Sequence, residues 1–393
     1  MKLVVISGVA SGLGGVGKVI TALFRDAKNF PELQGQVIVK SPSAVSLRTL
    51  LQQGNGRGMV KELWSRRTHE MDIWNTLQQH SPEIPFVLIH PQSLTFHWCQ
   101  HLIKNHSDSV WLYLMDCGFF CLRSYNYIPS ESKGCLRCLG GKWKWAKAFE
   151  CQPFPMRNFH ALVFLEKLRN WAAQGTVKIM TQNTLQTDLA RRHFGQYATI
   201  RQVGVWATDW EQALLPDKAT ITEQLPKYDI VFHGTSLEAK GFYWALELAN
   251  SCPQLSFLFP EVKPQDLPPN LYVSKNCFFI PMKWETGLAQ AVQQAKVVLV
   301  PSLWSAPIEG ALIKSLILNR SVAVVKNSTA FSAELPEQLV LYLPQHISDA
   351  ASMLQNAIAH GWQSPLKLQQ EWLDNFKNCN MNLLESLLNV CHG

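Results

Sequence analysis

Four cysteines, Cys117, Cys121, Cys135 and Cys138, form a C-x3-C-x13-C-x2-C array. Two close pairs in one short polar loop have the spacing of a structural zinc site, in which four thiolates complete a tetrahedral shell. Arg123, Lys133 and Arg137 lie among them and would offset the negative charge of such a site. The same ligands suit an iron–sulfur cluster, and buried cysteines can also act as small hydrophobes. A second stretch with chemistry in it is 301–314, where a loop carrying Ser302 and Glu309 runs into Gly310, Ala311 and Leu312. If a helix begins there, its free N–H groups and positive dipole end attract an anion such as a diphosphate. Glu309 is the only acid between Val297 and Lys326. Lys240 and Lys314 are cations able to meet a phosphate, and Asp116 closes an apolar run as an acid at a strand end.

The elements that must position these residues are legible as apolar periods. Runs at 297–300 and 322–325 are β-branched and of the length of buried parallel strands, while 312, 313, 316 and 317 mark one face of a helix between them. That is a βαβ unit, with the loop 301–309 at the carboxyl end of its first strand. At the other end of the chain a run at 3–6 is followed by Gly8, Gly12, Gly14, Gly15 and Gly17 and a periodic stretch at 19–24, which reads as strand, glycine loop and helix. Gly12 to Lys18 also satisfies the P-loop pattern, but Val19 stands where a magnesium-binding hydroxyl is required. Further strands are predicted at 36–40, 86–89, 111–115, 177–180 and 200–203, then at 229–233, 255–260 and 277–280. Helices are predicted at 185–194, 242–250, 288–294, 346–360 and from 366 onward. The polar segment 208–227, with Pro216 and Pro226, reads as a linker. This gives an α/β protein of two doubly wound parallel sheets: a domain at 1–207 with a cysteine-rich loop at 117–151, a domain at 228–371, and a terminal amphipathic stretch at 372–393.

These pieces resemble family 4 (group 1) glycosyltransferases of the GT-B fold. The likeness rests on Pro301, Ser302, Trp304 and Pro307 in order, on the Gly14-Gly15-x-Gly17 loop, on Gly234-Thr235 with Lys240-Gly241 after a second-domain strand, and on Thr181-Gln182-Asn183 followed by helix, strand and Gly204. Similar cysteines directly after the same strand occur in some members. The resemblance implies two Rossmann-like domains facing a cleft, with a last helix crossing back to the first domain and a nucleotide-sugar donor held mainly by the second. The acceptor, a glycan, lipid-linked group or protein, would sit mainly on the first domain. It further implies a retaining transfer without a catalytic metal and closure of the domains about the linker. Its donor contacts fall on Gly14, Gly15, Gly17, Gly234, Thr235, Lys240, Ser302, Gly310, Ala311, Leu312 and Lys314, and its chemistry on Glu309 and Asp116. The chain departs from the pattern in four places: Ala306 and Lys314 stand at the two glutamate positions, Thr235 at the arginine position, and Met115 at a histidine position before Asp116. Glu309 is then either a helix-start acid favoured by the dipole or a substitute acid turned toward sugar hydroxyls, with Lys314 compensating charge or meeting a phosphate. A degenerate GT-B protein that binds a ligand or partner without transfer is the second reading.

Length and composition set bounds on both. A chain of 393 residues with 47% hydrophobic and 17% charged residues has room for two cores. No run approaches the ~18 apolar residues of a membrane span, the stretch 3–6 is too short for a signal sequence, and a cytoplasmic protein is expected. Ten cysteines then point to reduced thiols. The net charge of +7 suits phosphate-bearing partners, and without a nucleic-acid-binding motif it does not point to nucleic acid. Lysines and tryptophans alternate at 142–147, a pattern suited to the inner membrane surface, a lipid-phosphate acceptor or a solvated basic loop.

Overall fold

The computed structural model describes residues 2–9, 12, 14–29, 35–39, 50–51, 54–78, 83–91, 96–151, 158–207, 209–210, 213, 226–260, 267–268 and 271–393. The first domain has strands β1 (Leu3–Ser7), β2 (Gly35–Val39), β3 (Phe86–Ile89), β4 (Val110–Tyr113), the short antiparallel hairpin β5 (Tyr127–Ile128) and β6 (Lys133–Gly134), then β7 (Val177–Thr181) and β8 (Ile200–Gln202). Apart from the hairpin they form one parallel sheet in the order β2-β1-β3-β4-β7-β8. The second domain has β9 (Ile230–Phe232), β10 (Phe257–Phe259), β11 (Cys277–Phe279), β12 (Val297–Val300), β13 (Val322–Val325) and β14 (Leu341–Leu343). These too are all parallel, in the order β11-β10-β9-β12-β13-β14. β1, β3, β4, β9, β12 and β13 are buried at every residue, as strands covered by helices on both faces must be. The two doubly wound sheets read from the sequence are therefore present, and the architecture is GT-B.

Each sheet reverses its winding direction once, between β1 and β3 in the first domain and between β9 and β12 in the second. At such a switch point the loops leaving the strands diverge and open a crevice at the carboxyl ends. The crevices of both sheets contribute to one cleft, lined by residues from the loops after β1, β3, β9 and β12.

Where one helix was expected beyond 372, two are found, Leu366–Asn380 and Leu383–His392, with Asn382 between them outside helical geometry (φ −98°, ψ 60°). The second helix buries Leu383, Leu384, Leu387 and Leu388 in the same core as Leu3, Val19, Ile20 and Leu23 of the first domain. The return crossing is tight. Asn380 Oδ1 accepts the Val205 N–H at 3.0 Å, and a Cβ on Gly204 (φ +77°) would lie 2.1 Å from that oxygen. Phe376 packs there against Trp206, Trp210 and Trp372. Of the predicted linker 208–227, only residues 209, 210, 213, 226 and 227 are among those described. No helix among the described residues is long and apolar enough to cross a membrane.

Candidate active site

The interdomain cleft has a volume of about 600 Å³, the size of a site for a small organic ligand. Its floor on the second-domain side is the start of the helix Gly310–Leu318, where Ile313 N–H closes the first turn onto Glu309. The amides of Gly310, Ala311 and Leu312 precede that first bond and give the helix its anion-attracting end. Gly310 packs against the Trp210 indole, a Cβ there falling 3.2 Å from Trp210 Nε1.

Lys240 enters the cleft from the turn after β9, Glu238–Lys240. The turn is tied to the loop after β12 by Leu303 N–H donating to Ala239 O at 2.9 Å. Gly241 (φ +74°) allows the contact: any Cβ would sit 2.0 Å from Pro301 O. The Lys240 ammonium lies 4.9 Å from the Trp304 ring centre and 5.6 Å from that of Tyr125, and it is ion-paired with Glu309 Oε1. The same oxygen accepts the Ser302 hydroxyl at 2.9 Å. Glu309 is the residue before the helix, yet its side chain caps no N–H. The Glu309 carboxylate is thus turned to Lys240 and Ser302, and the ammonium it meets is held as well by two aromatic faces.

Lys314 lies one turn further along the same helix. Its Nζ is 3.1 Å from Asp209 Oδ2 and 4.0 Å from the Trp284 ring centre. Asp209, in the predicted linker, also pairs with Lys18 of the first domain at 2.5 Å, so one carboxylate joins cations from both domains. Asp209 Oδ1 and Trp304 Nε1 are buried without a hydrogen-bond partner among the described residues. His233, at the end of β9, donates or accepts at Ser315 Oγ (2.8 Å) and stacks on Trp284 with rings 5.5 Å apart.

On the first-domain side Asp116 Oδ1 accepts the Gly118 N–H at 2.6 Å, and its Oδ2 is 3.4 Å from Nε2 of His90. A histidine from another strand end thus stands beside Asp116. His90 follows β3 with φ +54°, a left-handed conformation that costs a β-carbon residue free energy and is concentrated at functional sites. Behind the pair is a small apolar cavity of about 40 Å³, walled by Leu114, Phe119, Phe164 and Leu168 among others.

Of the expected donor residues, Gly14, Gly15, Gly234, Thr235, Lys240, Ser302, Gly310, Ala311 and Lys314 line the cleft, as do Glu309 and Asp116. Gly17 does not. It packs on Gly12, where a Cβ would be 2.9 Å from a backbone nitrogen. Leu312 is buried beneath the helix. Lys18, His90, Tyr125, Asp209 and His233 line the cleft and were not predicted as its residues. The strand-end position of His90 and His233 was the signal that could have found them.

The cysteine array is also rearranged. Cys117 is buried and its thiol donates to Ser305 O at 3.4 Å, while Cys121, Cys135 and Cys138 border a separate small cavity together with Cys151. Among the described residues no three histidine, cysteine, aspartate or glutamate side chains stand close enough together to coordinate an ion. In the 142–147 segment, Trp143 Nε1 donates to Glu166 at 2.7 Å and Trp145 stacks on Phe149, while Lys142, Lys144 and Lys147 are exposed.

Two buried histidines give the protein a pH dependence. Burial, and next the charges of Lys314 and Lys18, push His233 down to about 3, and burial followed by Arg169 does the same for His193. An unfolded histidine protonates near 6.5, so below that pH the unfolded chain binds protons that the folded one refuses. Stability is complete above pH 6.5 and falls as pH drops toward 3, by up to about 1.4 kcal/mol per pH unit for each histidine. Denaturant unfolding at pH 7, 6 and 5 checks this, and His193→Gln should remove about half of the slope in that window. An unchanged slope would refute the assignment.

The fold and this cleft define the class: a GT-B scaffold whose two switch points share one polar crevice. Neither a protein-family model nor a curated protein matches the chain. Solved structures do. HepE of Anabaena, determined with UDP, aligns with a TM-score of 0.60 at 13% identity over 98% of this chain and 99% of that one. Sucrose-phosphate synthase from Thermosynechococcus elongatus gives 0.62 at 11% over 98% and 97%. The UDP-forming α,α-trehalose-phosphate synthase of Burkholderia vietnamiensis gives 0.58 at 10% over 100% and 98%.

Proposed function

We propose that the chain is a glycosyltransferase that moves a sugar from a nucleoside-diphosphate sugar to an acceptor in the interdomain cleft. The observation that carries this reading is the gathering of Lys18, Lys240 and Lys314 around the start of the helix Gly310–Leu318. Backbone amides and ammonium groups are the means by which a leaving diphosphate is stabilised without a metal. The likeness to HepE, determined with UDP and with UDP-glucose, supports uridine diphosphate as the nucleotide to test first. The His90–Asp116 pair supports an acceptor hydroxyl on the first-domain side. Retention of anomeric configuration has the sequence resemblance as its only support. The exposed Lys142, Lys144 and Lys147 support an anionic surface, such as lipid presenting the acceptor, against that edge of the first domain.

A second reading, a cleft that binds a nucleotide sugar without transferring it, is favoured by one observation: each of the three lysines is paired with a carboxylate. A thermal-shift screen of nucleotide sugars separates the two. A ligand at 100 times its dissociation constant should stabilise the fold by about 2.7 kcal/mol. Stabilisation with release of nucleoside diphosphate supports the enzyme, and stabilisation without release over hours supports the binding protein. If no nucleotide or nucleotide sugar shifts the transition, both readings fail.

A further inference from the structure

We propose that the acceptor carries a short apolar branch, of about three carbons at most, beside its reacting hydroxyl, and that the cavity behind His90 and Asp116 receives that branch. The proposal rests on the transferase reading above and adds the class of acceptor to it. The cavity holds about 40 Å³. At roughly 10–15 Å³ for each water-sized sphere, that is room for about three. His90, Met115 and Asp116 line both this cavity and the cleft, so the one opens off the other at the ends of two strands.

The wall selects what enters. Ala161, Phe164, Leu165 and Leu168 recur on one face of the helix Asn158–Ala173 and line the space together with Leu112 and Leu114 from the end of β4. The hydroxyl of Tyr113, between those two leucines, is already given to Gly204 O. A water held in a cavity needs two to four polar partners, and this part of the wall offers none. An alkyl group loses nothing there and leaves bulk water.

The polar groups stand at the mouth. Asp116 Oδ2 lies 3.4 Å from His90 Nε2, and the left-handed turn of His90 (φ +54°) sets the imidazole there. Met115 is steadied by Gln182 Nε2, 3.7 Å from its sulfur. A hydroxyl seated on the pair faces the lysines and the helix start of the second domain, while its carbon substituent turns the other way, into the cavity. In the transfer the acceptor oxygen bonds to the anomeric carbon as the bond from that carbon to the diphosphate breaks. The diphosphate leaves with the electron pair, and the hydroxyl proton passes to the His90–Asp116 pair.

The smallest molecules with this chemistry are the straight-chain primary alcohols from methanol to 1-hexanol. They are supplied as acceptors with whichever nucleotide sugar stabilises the fold, and the alkyl glycoside is measured by mass spectrometry. Burial of each added carbon should raise kcat/KM about fourfold as far as 1-propanol, with no gain from 1-butanol onward. Ala161→Leu, which fills the space, should flatten the series, and Leu168→Ala, which enlarges it, should carry the rise to longer alcohols. Donor-induced thermal stabilisation checks that each variant is folded, and either one alone suffices. A flat series in the parent overturns the proposal, as does the same series in a folded Ala161→Leu and Leu168→Ala. A rise that continues through 1-hexanol also overturns it, since that marks a lipid chain lying along an open surface. If no nucleotide sugar is turned over, the transferase reading fails and the cavity is judged separately by saturation-transfer NMR with 1-propanol. Contact in the parent and none in Ala161→Leu keeps the cavity as a ligand pocket, and no contact in the parent overturns it.

Discussion

Replacing Lys240 with methionine is expected to weaken binding of uridine diphosphate by about 100-fold or more, some 2.7 kcal/mol. Two losses combine. A charge-assisted contact to a phosphate oxygen contributes about 1.5–3 kcal/mol. Glu309, whose side chain is only 9% exposed, would then keep its charge in the cleft without the ammonium, facing the incoming diphosphate. Removing one member of such a pair costs about 3–5 kcal/mol where burial is complete. Calorimetric titration with uridine diphosphate measures the effect, and the double variant Lys240→Met/Glu309→Gln should recover part of it by removing the stranded carboxylate. Glu309→Gln alone separates two roles. A loss of at least ~10-fold, about 1.4 kcal/mol, for the nucleotide sugar but not for the bare diphosphate assigns the carboxylate to the sugar. If Lys240→Met binds uridine diphosphate as the parent does, Lys240 is only the counter-ion of Glu309.

Asp116→Asn is expected to slow donor turnover by about 100-fold or more while changing donor affinity less than ~3-fold. Asp116 holds His90 from one oxygen and its own loop from the other, so the amide disturbs the pair without emptying the space. The measurement is release of nucleoside diphosphate from whichever nucleotide sugar stabilises the fold, with acceptor present, beside the affinity for that donor. Donor affinity falling in step with turnover would move the pair to the donor side, and unchanged turnover would leave it a structural contact.

Much of the scaffold was legible because its signals are local. Val297–Val300 and Val322–Val325 are strands on their own composition, and the helices Phe242–Asn250 and Leu288–Gln294 fall where their periods place them. The cleft's lining at Ser302, Glu309 and Lys240 was legible for the same reason: these residues sit in strand-to-helix loops. What each side chain meets was not. Asp209 lies in a polar stretch with no period, and its bond to Lys18 spans 191 residues. The left-handed turn of His90 leaves no trace in residue type. Cys151 lies 13 residues beyond Cys138, outside any paired spacing, and joins the loop only because the chain folds back through the short helix Lys144–Ala148.

The crossing at Gly204 and Asn380 has a mechanical consequence. The outgoing and returning chains touch one another there, at the hydrogen bond from Val205 N–H to Asn380. The collar of Trp206, Trp210 and Phe376 packs at the same crossing, and Asp209, one residue before Trp210, carries the ion pairs to Lys18 and Lys314. A methyl group at Gly204, forced against Asn380, would act as a wedge at this crossing and, through the Asn380 bond to Val205, would press on a residue that lines the cleft.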